Sequence, residues 1–399
     1  MKKVLILGND GYIGWPLTLD LLSKDYQVTG IDNYSRRQRV RSIGSDSLTN
    51  IDCRIDRMET LKSYKNYIQI PSNFHLSKDQ SFIGALLQEL QPDVIVHLAE
   101  MPSAPWSMIS DVNALITQEE NVLGTLNLLW AIKEHCPSAH LIKLGTMGEY
   151  GKPDCDIPEG EIPIPCIGGP AYMIKEFGEV KDINLTCPLS GLQFPRSPNS
   201  FYHLSKVHDT YNIIFACKTW GLTSTDIMQG VVYGLMSDDK HLITRFDYDE
   251  YFGTVINRFC AQAIINHPLT IYGDGTQSYS FLPLKDSIQC INLAIQNPPS
   301  QGSYRVLNQF ESVQSINDLA MMVSKSARKL GLEPTVQHIS NPRSEPEIHY
   351  YNPINKRLKD LGYVPTEDMQ KEIDNLLSIL ISYKLRVKKE VIMPKTNWR

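Results

Sequence analysis

The sequence predicts an α/β protein in which a doubly wound parallel sheet is joined to a smaller, less regular C-terminal domain. Three observations predict it. Continuous apolar runs of strand length alternate with segments of helical spacing, the pattern that buries a parallel sheet between two helical layers. A glycine-rich turn joins the first strand to the first helix, and from about residue 231 the rhythm loosens into longer connections rich in Pro, Asn and Tyr. The 399 residues suffice for two domains with substantial cores. The expected division is 1–230, with 274–295 returning to it, and 231–399 for the second domain.

In chain order, KVLILG (3–8) is an unbroken apolar run and reads as the first strand. Leu17, Leu19, Leu21 and Leu22 mark the helix behind it. QVTGID (27–32) is the second strand, DVIVHLA (93–99) a later one and HLIKLGT (140–146) another. Between the last two, NVLGTLNLLWAIKEH (121–135) has helical spacing. There is no internal repeat and no low-complexity linker.

Composition narrows the function. The chain is 42% hydrophobic and 21% charged with a formal net charge of −5, so no concentrated positive field invites nucleic acid or an anionic membrane. The densest basic run, SRRQRVR (35–41), is short and reads as a solvated loop. Eight scattered cysteines lack the spacing of a zinc site, which predicts a reducing compartment and no metal. The apolar run in MKKVLILGND is too short for a signal peptide, no transit peptide is evident, and no stretch reaches the ~18 apolar residues of a membrane span. A cytoplasmic protein is expected.

GNDGYIG carries the first chemistry. Gly8, Gly11 and Gly14 follow the first strand and open a helix, where glycine allows a tight turn, close approach of backbone to a pyrophosphate, and helix-on-strand packing. This is the turn of a Rossmann-type sheet. Asp32 ends the next strand, where a carboxylate accepts from the adenosine ribose hydroxyls and repels a 2′-phosphate, so the cofactor reads as NAD. Arg36 and Arg37 lie close enough to oppose that preference. Tyr12 and Ile13 within the turn, with Asn33 and Arg36 after Asp32, complete this part of the cofactor set.

SFYHLSKVHD (200–209) carries the second. Tyr202 and Lys206, four apart, share one helix face, and an ammonium together with a positive nicotinamide ring would lower the tyrosine pKa to that of a usable base. Thr146 ends the strand HLIKLGT. With that strand-end Thr and the Tyr-x-x-x-Lys helix, the chain resembles the extended short-chain dehydrogenase/reductases that act on nucleotide sugars. KLGTMGEYG, FYHLSKVHD, SAPWSM, LNQF, NPRSEPEIHYYN and the closing IMPKTNW are similar, over nearly the whole chain, to the branch that combines UDP-glucose with sulfite into a sulfosugar nucleotide. The resemblance implies a UDP-sugar-binding C-terminal domain, a 4-keto-5-ene intermediate, recycled NAD and, by superfamily habit, a homodimer. It implies that Tyr202 takes the 4-hydroxyl proton, Lys206 holds the nicotinamide ribose and Thr146 hydrogen-bonds the 4-oxygen.

The resemblance also exposes a gap. Hexose dehydratases of the superfamily carry Asp-Glu directly after the threonine, as acid and base, whereas Met147 and Gly148 stand here. Glu149 and His203 are the nearest ionisable groups, and both are candidates for the elimination step; the alternatives are that Glu149 braces the loop and His203 binds sulfite. Met147 and Gly148 are left as substrate contacts. By the same resemblance Ala99, Asn121 and Gln229 line the NAD site, Arg343 meets the diphosphate, Tyr272 and Gln277 lie near uridine, and Arg258 is either a substrate contact or a structural ion-pair partner. Two positions depart from the pattern, Tyr279 where relatives carry Arg and MPSAP where plant-type sequences carry QRSAP, so either the substrate charge is met elsewhere or the preferred substrate differs. The longer segment between Thr146 and Tyr202, including 169–191, reads as a lid or a subunit contact. An NAD-dependent UDP-sugar 4-epimerase or dehydratase is the alternative enzyme, and a non-catalytic dinucleotide sensor the alternative from another class.

Overall fold

The computed structural model describes residues 1–70, 73–162, 192–237, 239, 241–343 and 349–398. The segment 169–191, read above as a lid or subunit contact, lies outside the described residues.

The apolar runs become the strands of one parallel sheet: β1 (Lys3–Leu7), β2 (Gln27–Ile31), β3 (Tyr67–Ile70), β4 (Val94–His97), β5 (His140–Thr146), β6 (Thr223–Gln229) and a late strand, β10 (Tyr304–Gln309). Their order is β10-β6-β5-β4-β1-β2-β3. Because β1 sits between β2 and β4, successive connections run to opposite sides and leave a crevice at the carboxyl ends of β1 and β4. Residues Val4 to Leu7 are buried on both faces, which is why the run does not alternate.

The two covering layers follow from helical periodicity. On one face α1 (Gly14–Ser23) lays Leu17, Leu21 and Leu22 into a core with Val4, Ile6, Val96 and Ile142. The other face packs α2 (Gln80–Leu90), α3 (Gly124–His135) and α4 (Phe201–Trp220) over Leu5, Leu7, Ile95 and Leu141. Within the segment expected to be helical from 121, the stretch Glu119–Leu123 is a wider π-type turn that leads into α3.

A second core is built where α5 (Val255–Ile264), α7 (Ile316–Lys329) and α8 (Met369–Leu380) bring their apolar faces together. Three short strands, β7 (Val231–Tyr233), β9 (Ser278–Pro283) and β11 (Ser312–Ser315), and the parallel pair β8 (Leu269–Tyr272) and β12 (Val336–Ile339) complete it. Helix α6 (Leu284–Gln296) packs into the α1 core. Strand β10 hydrogen-bonds to β6 as the edge of the main sheet.

Gly14 shows what the first turn demands. A Cβ there would lie 2.0 Å from the Gly8 carbonyl oxygen, a backbone atom with no freedom to retreat. Gly8 adopts φ +93°, a left-handed conformation that side chains disfavour. Gly14→Ala is therefore expected to destabilise the protein by at least ~1–3 kcal/mol, read as a lower urea midpoint.

Candidate active site

A cavity of about 690 Å³ runs along the carboxyl ends of the central strands. Its walls include Gly8, Gly11, Tyr12, Ile13, Gly14, Asp32, Asn33, Arg36 and Ala99 at one end, and Thr146, Met147, Gly148, Tyr202, His203, Lys206, Gln229 and Arg343 towards the other. The turn fits a dinucleotide: with no side chain at Gly8, Gly11 or Gly14, the backbone at the amino end of α1 lines the cavity and admits close approach. Asp32 accepts from the backbone N–H of Asp10 (2.9 Å) and of Tyr34 (2.6 Å). Burial and the neighbouring Asp10 push its carboxyl up to about 6.

Both arginines feared as 2′-phosphate ligands are engaged by carboxylates. Arg36 donates to Asp247 at 2.7 Å and lies 4.0 Å from the Phe252 ring centre, and Arg37 donates to Asp10 at 2.6 and 2.8 Å. Asn121 does not line the cavity. It is fully buried behind the wall, where it accepts from Met101 N–H and donates to Ser205 Oγ, so its part is to fix the backbone after β4.

At the reactive end, β5 delivers Thr146 and then turns sharply. The Thr146 hydroxyl accepts from Gly148 N–H, and Glu149 reaches back to accept from Thr146 N–H, a reciprocal cap on the short helix Met147–Glu149. This places Glu149 inside the protein rather than in the cavity. Its carboxylate has no exposed surface and faces Lys143 (3.5 Å), Thr210 (3.0 Å) and Arg196 (3.5 Å). The proposed acid–base role for Glu149 does not agree with that position, whereas the bracing alternative does. Burial, with Asp226 beside it, pushes this carboxyl up against the pull of Lys143 and Arg196.

Helix α4 is started by Ser200, whose hydroxyl accepts from His203 N–H, and one turn of it presents Tyr202, His203 and Lys206. Lys206 donates to the Leu144 carbonyl at 2.8 Å and pairs with Glu100. Burial brings its ammonium down to about 8, against Asp209 and Asp226. The lowered tyrosine pKa expected from the sequence is not produced by these residues alone. Burial, followed by Glu149 and Asp209, pushes Tyr202 upward, and Lys206 shares its charge with Glu100.

His203 sits over Gly148. A Cβ at residue 148 would lie 2.4 Å from His203 Nε2, so the glycine makes room for the ring. The Asn199 side-chain oxygen lies 2.7 Å from Nδ1, which favours the tautomer with its proton on Nδ1 and the lone pair on Nε2. Burial, then Arg343 and Lys152, bring the imidazole down to about 4, so it is neutral at physiological pH.

Arg343 reaches the cavity, but Arg258, Tyr272 and Gln277 stand behind it. Arg258 donates to the Tyr272 hydroxyl and, at 3.1 Å, to the Thr270 carbonyl, while Gln277 donates to the Tyr272 carbonyl at 2.8 Å. Arg258 pairs with no carboxylate among the described residues, so neither of its expected roles appears here. Instead the three build the wall on which Arg343 rests, 5.6 Å from the Tyr272 ring centre. Sequence reasoning passed over Glu100 and Lys152. Lys152, in GEYGK, lies 3.8 Å over the ring of Tyr279 and 4.9 Å from that of Tyr351, bringing a cation to the position where the arginine is missing.

Comparison with known proteins places this geometry. The NAD dependent epimerase/dehydratase family matches residues 4–170. The spinach protein "UDP-sulfoquinovose synthase, chloroplastic" is 42% identical across all of this chain and 79% of its own length, and the Sulfolobus acidocaldarius "UDP-sulfoquinovose synthase" is 40% identical across all of this chain and 98% of its own. The chain belongs to the UDP-sulfoquinovose synthase family. The fold of this family member is shared with a Thermotoga maritima UDP-glucose 4-epimerase, solved with UDP-glucose, at TM-score 0.68 and 16% identity over 95% of this chain and 99% of that one. A Bacillus cereus UDP-glucuronic acid 4-epimerase, solved with UDP-glucuronic acid and NAD, matches with TM-score 0.67 and 20% identity over the same shares.

Lys143 tests the support beneath the site. Replacing it by Met removes the buried cation that lies 3.5 Å from Glu149 and 3.6 Å from Asp226, leaving Glu149 only Arg196. The expected loss is ~3–5 kcal/mol in chemical denaturation.

Proposed function

We propose that this protein converts UDP-glucose and sulfite to UDP-sulfoquinovose with NAD recycled in each turnover. The observation that carries the reading is the neutral His203 imidazole standing over Gly148, one of the two positions where the resemblance to hexose dehydratases would put an Asp-Glu pair. Bound NAD supplies a hydride acceptor for sugar position 4 and returns the hydride at the end. Gly8, Gly11, Gly14, Asp32 and Lys206 would hold it.

Tyr202 takes the proton of the 4-hydroxyl as position 4 becomes a ketone, with Thr146 hydrogen-bonding the oxygen. The ketone acidifies the position 5 hydrogen, which His203 Nε2 removes as a proton. Hydroxide leaves from position 6 and, with the imidazolium proton returned to it, departs as water. The 4-keto-5-ene then accepts sulfite as its protonated form, bisulfite: the sulfur bonds to position 6, and the bisulfite proton, passed through the free His203 Nε2, is delivered to position 5. Tyr202 returns its proton to the 4-oxygen as the ketone is reduced. Arg343 suits the diphosphate of the substrate, and Lys152 with Arg343 supplies the positive field that draws sulfite to this end.

The same reading takes the enzyme as a cytoplasmic homodimer. Six described cysteines are free, which supports a reducing compartment, and no described helix is long and apolar enough to cross a membrane. On the helix Asp111–Gln118 and the neighbouring α4, Leu115 is 67% exposed and Phe215 59%, an apolar face that a second copy would cover.

Mass spectrometry of the protein incubated with UDP-glucose is the first test. A UDP-hexose sulfonate formed only in the presence of sulfite is expected; accumulation of UDP-galactose at unchanged mass would make the protein an epimerase. Gly148→Ala, which pushes a methyl into His203, and His203→Ala are each expected to slow sulfonate formation by about 10²-fold while leaving bound NAD in place. Since the folded imidazole is neutral above about 4, the wild-type rate should not fall through His203 between pH 7 and 5, and should fall as pH nears 4.

A further inference from the structure

The cavity wall beside Tyr202 carries a carboxylate that the scheme above does not use. Glu100 follows β4 by three residues, lines the cavity, and has a side chain only 4% exposed. One of its oxygens pairs with Lys206. The other, Oε1, has no hydrogen-bond partner and lies 4.0 Å from His97 Nε2. His97 gives it no charge, because burial, then Lys206 and Lys143, bring that imidazole down to about 3. A carboxylate buried with one oxygen unmatched is costly unless it is paired, and its pairing here rests on Lys206.

The groups facing the Lys206 ammonium come from four elements. From β4 and its end there are neutral His97 and Glu100; from β5, Lys143, whose own ammonium donates to the Lys206 carbonyl at 3.1 Å. From α4 come Tyr202, with its ring centre 5.9 Å away, and Asp209; from β6 comes Asp226. Of the three carboxylates only Glu100 makes direct contact, and the remaining contact is the Leu144 carbonyl. Lys206 is 4% exposed in its side chain, so water does not replace a lost partner.

We propose that Glu100 is the positioning residue for Lys206: it keeps the lysine charged in a buried wall and aims the ammonium along the cavity, where the reading above has it hold the nicotinamide ribose. A carboxylate in contact with an ammonium favours the charged form, so its removal lets the proton leave at lower pH. The inference rests on the cofactor part of the proposed function and is independent of sulfite.

The experiment measures NAD retained by the holoenzyme after dialysis at a series of pH values from 7 to 10, by acid release and chromatography. Wild type should lose NAD along an alkaline limb. Glu100→Gln, nearly the same in size, should lose it about one pH unit lower, a tenfold change in the proton equilibrium. Glu100→Asp retains the charge but withdraws it by one methylene, and its limb should fall between the two. Should the Gln variant fail to fold, the Asp variant against wild type carries the comparison. Lys206→Met should abolish the limb, which assigns it. Coincident limbs in wild type, Glu100→Gln and Glu100→Asp overturn the proposal, as does a limb that persists in Lys206→Met. Failure to form a sulfonate would sink the synthase reading and leave these limbs untouched.

Discussion

The reactive end of the cavity depends on one buried ammonium. Lys143, on the central strand β5, has no exposed surface, and its charge is met by Glu149 from the turn after β5 and Asp226 from β6, with Thr210 and the Lys206 carbonyl from α4. Burying an ammonium is tolerable only when such partners are all in reach, so the four segments are held at hydrogen-bond distances from one another. Thr146, Tyr202, His203 and Lys206 project from these same segments. Their relative positions are inherited from a polar network that never touches the cavity.

The network also explains why Glu149 could not take over the work of the missing acid–base pair. Its position in sequence makes it the cap of its own turn, and a cap at the third residue must point back at the strand end rather than outward. The vacated space goes to a side chain from another element. Gly148 admits the His203 ring, which Ser200 and Asn199 orient from the start of α4. Under the proposed function a chemical task thus moves from one loop to a neighbouring helix without disturbing the backbone that both require.

Much of this was legible in the sequence because it depends on local pattern. The strands buried on both faces, the Gly8-Gly11-Gly14 turn and the Tyr202–Lys206 spacing are set by period and by steric demand. What was not legible depends on direction in space. Asn121 and Arg258 carry the polar groups of ligand contacts, yet their hydrogen bonds face Met101 and Thr270 behind the wall. Glu100 looked like one more residue after a strand, and only its meeting with Lys206, 106 positions away, gives it meaning. Lys152 compensates for a missing arginine at a distant position, and nothing in its own neighbourhood signals that. The pairing of β10 with β6 is not legible in YRVLNQ, because its partner strand lies about 80 residues earlier and nothing in its own residues names it.

The glycine turn is tied to the chain after β7 at several points. The Tyr12 hydroxyl donates to the Gly234 carbonyl, the Trp15 indole to that of Leu242, Arg57 bridges Asp10 to the Ile243 carbonyl, and Arg36 is paired with Asp247. Under the proposed function the hydride taken from the sugar is given back to it within one turnover, so a dinucleotide seated in that turn has no need to leave between cycles. Under the proposed chemistry the electrons lent at the first step come home at the last, so the enzyme is insulated from the redox poise of the cell around it.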